Sequence, residues 1–226
     1  MSSRQVQRWT GGAGIAAVVI QVVAFVVFFS VGKPPNRAAP LEAFLHSGNA
    51  ALQTSFLLFF VAFGAWLVFF GGLRSLVVAA GPGLDFLATT LFGFGVAIMV
   101  LSWVYLGLEA AATANALNRP DNTVIYALFM GGSVLDGAPT AAPAAFLLGI
   151  SGWALARSRL LSRWAVWLSW IAALIVVAAL PTLYGGDNLA GDFSADGLVA
   201  YVLLFVPLYV WTVALSIAIF RKPDSQ

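Results

Sequence analysis

Five runs of about twenty mostly apolar residues constrain this chain more than any other feature. They lie at roughly Gly12–Val31, Ala51–Phe70, Phe86–Leu108, Trp164–Leu183 and Gly197–Phe220. Each is long enough to cross a hydrocarbon core of roughly 30 Å as a helix. Composition agrees. Hydrophobic residues make up 61% of the chain and charged residues 9%, with a mean hydropathy of +0.94. Globular domains carry about 25% charged residues, so this chain cannot cover a soluble surface. The expected fold is an all-α polytopic membrane helix bundle, with residues 1–226 forming a single transmembrane domain.

A sixth span is less regular. Thr140–Ala156 is apolar but short, and another apolar piece, Val124–Leu135, precedes it across Asp136-Gly137-Ala138-Pro139. Pro139 and Pro143 lack amide donors, which argues against one straight helix. The first reading makes Val124–Leu135 an outer half-helix, or a helix lying at the interface, and Thr140–Ala156 the fourth span. The alternative is one long kinked helix from Thr123 to Arg157. The third span also overruns, with small and apolar residues continuing to about Leu117. That is about 48 Å of helix, so its last turns should project beyond the bilayer.

Six spans put both termini on one side, and basic residues decide which side. With a cytoplasmic N-terminus, the inner segments hold Arg4, Arg8, Arg74, Arg157, Arg159, Arg163, Arg221 and Lys222. The outer ones hold Lys33, Arg37 and Arg119, so the bias is eight against three. Both termini are therefore expected in the cytoplasm. The roughly 20-residue first run exceeds a typical signal-peptide core and is expected to stay as a span.

Several chemistries are excluded. With no cysteine there is no disulfide framework, thiol nucleophile or iron–sulfur site. A single histidine leaves no bis-histidine haem or histidine metal cluster. No lysine lies within a span, which removes a retinal Schiff base. A scattered net charge of +2 does not suit nucleic acid. No cofactor and no metal are expected.

The polar candidates are few. Glu42 and His46 stand four residues apart, on one face of a short surface helix starting near Pro40. Glu109 lies near the end of the third span, where a carboxylate is a functional candidate by default. Asp136 falls in the break before the fourth span and reads as an outer residue, with Asp187, Asp192 and Asp196. Together these acids and His46 could hold a divalent cation, with oxygen ligands favouring calcium. Their spacing fits no ligand motif, and solvated loop charges with helix caps are the plainer alternative. Gln21 and Gln53 lie at comparable depth in adjacent spans and could hydrogen-bond. Arg157, Arg159 and Arg163 form a compact basic turn suited to anionic lipid headgroups.

Phe69-Phe70-Gly71-Gly72-Leu73-Arg74 closes the second span. Arg163-Trp164-x-x-Trp167-Leu168 opens the fifth, and Trp211-Thr212-Val213-Ala214-Leu215-Ser216 precedes Arg221-Lys222 in the sixth. In order and spacing these pieces resemble the uncharacterised six-span integral membrane proteins of actinobacteria, a domain of unknown function. The resemblance implies a bacterial inner-membrane location and carries no activity or site residues.

With no acid–base pair evident inside a span, the leading functional expectation is a non-catalytic accessory protein or complex subunit. Its partners would be membrane lipids and other membrane subunits, or a second copy. The alternative is a small-molecule or lipid binder or transporter, with Glu109, His46 and Asp136 near an outward cavity. A membrane enzyme using His46 with an outer carboxylate as general base ranks last.

Overall fold

The computed structural model describes residues 3–35, 37–118, 121–184 and 198–222. The described residues form eight α-helices and one 3-10 turn, and no strand. In chain order the helices are α1 (Ser3–Phe29), α2 (Ala38–Ser47), α3 (Asn49–Ala79), α4 (Asp85–Asn118), α5 (Asn122–Asp136), α6 (Ala138–Ser158), α7 (Arg163–Val177) and α8 (Leu198–Arg221), with the 3-10 turn Leu180–Tyr184 after α7. Six helical segments are long and apolar enough to cross a membrane, with Asn122–Ser158 counted as one. The chain is an all-α, multi-pass membrane bundle.

Pairwise contacts fix the register of the bundle. Helices α1 and α3 run antiparallel. Ser55 Oγ donates to the Ala24 carbonyl at 2.9 Å, and Trp66 Nε1 donates to Gln21 Oε1 at 2.8 Å. Helix α8 returns along α1, with Phe25 against Phe205 at 5.4 Å. Near the other end of this pair Gly14 meets Ser216 and Gly11 meets Phe220. The start of α1 and the end of α8 therefore share one end of the bundle, the terminal end. Helix α4 is antiparallel to α3, with Tyr105 edge-on to Phe63 at 6.5 Å and Gly95 against Phe70. Trp211 Nε1 donates to Ser169 Oγ at 2.8 Å and ties α8 to α7.

Small residues set these approaches. A bilayer supplies little hydrophobic drive between helices, so close packing and hydrogen bonds must hold them together. A Cβ at Gly14 would run into Ser216 Oγ and Phe69, and one at Gly72 into Thr10. Bulk then fills the interior: Trp66, Trp211, Phe63, Phe69 and Phe70 are fully buried. The outer surface is apolar and mixes aliphatic residues, such as Val19, Val22, Val23 and Val26 of α1, with aromatic ones such as Phe86 and Phe146. Gln53 is exposed, so the expected Gln21–Gln53 bond does not form; Gln21 takes the Trp66 indole instead.

Helix α2 packs against α4 and α5 at the opposite, distal end. Leu41 and Leu45 are buried there. Helix α5 starts on a cap in which Asp121 Oδ1 accepts from the Thr123 and Val124 amides, at 3.0 and 3.2 Å. Helix α6 ends where Arg159 turns left-handed at φ 51°, its amide bonded to the Leu155 carbonyl at 3.1 Å.

Candidate functional site

Proline chemistry interrupts the fourth span. A helix continuing through Pro139 would drive the pyrrolidine ring into the Leu135 carbonyl, four residues earlier, and leave that carbonyl without a donor. The chain breaks instead at Gly137, with φ −78° and ψ −123°. Thr140 Oγ1 donates to the stranded Leu135 carbonyl at 2.7 Å. The Thr140 and Ala141 amides both donate to the Gly137 carbonyl at 3.1 Å and start the next helix. Pro143 lies inside α6 and withholds a donor from Pro139.

The break lies halfway along the bundle. A Cβ at Gly132 would sit 2.9 Å from the Tyr105 carbonyl oxygen and 3.0 Å from Glu109 Cγ. Residue 132 therefore faces about 107 on α4. Phe146 stacks on Phe94 at 5.2 Å. From 132 to 146 is fourteen residues, and from 107 down to 94 is thirteen, so α5 and α6 run together as one antiparallel partner of α4. Gly137 then faces about residue 102 or 103, close to the midpoint of Asp85–Asn118.

Helix α5 is a half-helix, as one reading of the sequence had it, and packs along α4 with α6 as one broken span rather than lying across the bundle end. Asp136 is no outer loop residue. It ends α5 inside the bundle and is only 3% exposed. The sequence placed it outside because a Gly-Pro break resembles a loop, whereas here the break is enclosed by protein.

Glu109 is 7% exposed and lies roughly two turns of α4 distal to the break. Tyr105, Ser133, Thr113 and Thr140 are buried around the same stretch. Thr113 Oγ1 bonds back to the Glu109 carbonyl at 3.0 Å. Neither carboxylate-bearing residue is without a partner. Two buried acids therefore lie on neighbouring turns of the bundle interior, beside a backbone break that protein encloses.

A third group completes the layer. Tyr209 of α8 stacks on Trp66 with ring centroids 6.4 Å apart, and Asp136 lies within electrostatic reach of it. Its ring is half-buried, whereas its hydroxyl is fully buried and has no hydrogen-bond partner among the described residues. Sequence reasoning missed Tyr209. Pro207, two residues earlier in the middle of α8, was the available signal.

The remaining candidates do not join this site. His46 is exposed and Glu42 half-buried on α2, which packs on α5 rather than α6. From residue 103 to the end of α4 is about 22 Å of helix, so Asp136 lies far below them. No group of three or more potential metal ligands forms among the described residues. Asp187, Asp192 and Asp196 lie outside the described residues. Arg157, Arg159 and Arg163 are exposed at the terminal end, beside the exposed Trp164 and Trp167. Comparison with protein-family models, curated proteins and solved structures finds no match.

Proposed function

We propose that this chain is a small cation-binding membrane carrier in which Asp136 and Glu109 hold positive charge, a proton included, inside the bundle. One observation carries this reading: Asp136, 3% exposed, ends a half-helix at a break opposite the middle of α4. Interrupted helices at mid-depth are where membrane carriers place ion and substrate groups. A buried acid there is expensive unless it has work to do. The single-residue joint at Gly137 also lets α5 and α6 tilt separately.

The accessory-subunit expectation rested on the lack of cofactor ligands, a soluble domain, a catalytic pair and an ionisable chain through the bilayer; the two buried acids beside a helix break support the carrier reading instead. The basic bias favours cytoplasmic termini in a bacterial inner membrane, with α2 and the start of α5 outside. Arg157, Arg159 and Arg163 would then meet anionic headgroups of the inner leaflet.

Proteoliposomes with a clamped membrane potential and an internal pH dye test the reading. Under an imposed acid gradient the wild type should acidify the lumen faster than protein-free vesicles do. Asp136→Asn should fall to the protein-free rate, and Glu109→Gln should slow the flux. Equal flux in wild type and Asp136→Asn would overturn the proposal.

A further inference from the structure

We infer that the α6–α7 turn holds one anionic glycerophospholipid as a bound partner, its phosphate on Arg157, Arg159 and Arg163 and its ester and acyl parts along the exposed stripe of α7. This goes beyond the general pull of basic residues on a headgroup layer. It is independent of the carrier reading.

The chemistry of the turn is one-sided. All three guanidiniums are exposed. Phe94 stacks on Phe146, so Asp85, nine residues before Phe94, faces about residue 155 and is the described acid that this register brings closest. Neither Asp85 nor any other acid pairs with the three arginines among the described residues. The indole N–H groups of Trp164 and Trp167 likewise have no acceptor among the described residues. Guanidinium and indole are donors only. The occupant must therefore bring acceptors and negative charge, which a phosphodiester and two ester carbonyls supply.

The face below the arginines separates a lipid from a free anion. Arg163, Trp167, Trp170 and Leu174 follow one another at intervals of four, three and four residues, so they share one face of α7. Trp167 stands edge-on to Trp170 at 5.4 Å, and Trp170 lies against Gly152 of α6, so neighbours hold these rings in place. Trp167 is 59% exposed and Leu174 71%. From 163 to 174 is eleven residues, about 16 Å of helix, or about half of a hydrocarbon core of roughly 30 Å. Cation, indole and aliphatic surface thus follow in the order of phosphate, ester and chain in one leaflet.

The backbone adds a separate argument for Arg159. It takes φ 51° and ψ 25°, the left-handed conformation that glycine usually supplies at a helix end. An arginine kept there accepts strain that glycine would avoid, and its guanidinium is what the position gains.

Native mass spectrometry of the full chain, released from phosphatidylcholine nanodiscs across a titration of phosphatidylglycerol, tests this. The wild type should retain one phosphatidylglycerol. Arg157→Gln/Arg163→Gln should weaken retention about thirtyfold, at about fivefold per charge. Arg221→Gln/Lys222→Gln removes the same charge from the same end of the bundle and should leave retention unchanged. Arg159→Gly should unfold at higher denaturant yet hold the lipid about fivefold more weakly. Equal losses in the two double variants would reduce the turn to diffuse attraction and overturn the proposal. Equal retention of phosphatidylcholine and phosphatidylglycerol would overturn it too. Displacement of the lipid by soluble glycerol 3-phosphate would leave an anion site and remove the lipid.

Discussion

Replacing Tyr209 with phenylalanine should make the ligand-free protein more stable, which is unusual for truncating a buried side chain. The ring contacts with Trp66 and Phe205 survive the change, because only the oxygen is removed. That oxygen is fully buried and has no hydrogen-bond partner among the described residues. An unmatched buried polar group costs about 1–3 kcal/mol, and deleting it returns that amount. The small gap left by one oxygen subtracts a fraction of it. The expected net gain is about 1–2 kcal/mol. Equilibrium unfolding of purified protein in mixed micelles measures this, with the midpoint moving to higher denaturant at unchanged slope. An unchanged or lower midpoint would show that the hydroxyl is already satisfied.

Four further outcomes follow from the packing and the charge distribution. Gly132→Ala must push against the Tyr105 carbonyl and Glu109 Cγ, so it should cost about 1–3 kcal/mol in the same unfolding assay. Gly107→Ala on the open face of α4 meets nothing within 4 Å and should be neutral or slightly stabilising. Trp66→Phe and Gln21→Leu should each destabilise, and the double variant should lose less than their sum by about 1 kcal/mol, because neither partner is then stranded; strict additivity would deny the bond. The chain has no cysteine, so Ser47→Cys and Ser162→Cys can be labelled without background. An impermeant maleimide on intact cells should modify the variant at 47 and spare the one at 162; the reverse pattern would invert the topology.

The spans were legible because a bilayer reads little else than apolar length. Phe86 to about Leu117 sufficed to place α4, which runs to Asn118. The short surface helix was also readable, from Pro40 and the four-residue spacing of Glu42 and His46. Depth inside the fourth span was not. Asp136-Gly137-Ala138-Pro139 has the composition of a surface turn. Only the pairing of Gly132 with Tyr105 and of Phe146 with Phe94 shows that α4 carries both halves side by side. Glu109 stood out in the sequence as a carboxylate at the end of a span, but its burial depended on a neighbour, Gly132, thin enough to let α5 close over it. Tyr209 was invisible for a related reason: a tyrosine within a span is ordinary, and its lack of a partner exists only in three dimensions.

The broken span also bears on how the protein is made. Of the six candidate spans, Asn122–Ser158 is the least apolar and the most enclosed by its neighbours. A translocon admits segments to lipid according to their own hydrophobicity, and this one carries Asp136 and two prolines in its middle. It is therefore poorly suited to partition alone. Its companion α4 is strongly apolar and is joined to it by only a few residues. Entry of the two as a hairpin would shelter the break from lipid as it arrives. Nascent chains arrested before α4 has left the translocon should hold the weak segment in the membrane, and deletion of α4 should strand it outside.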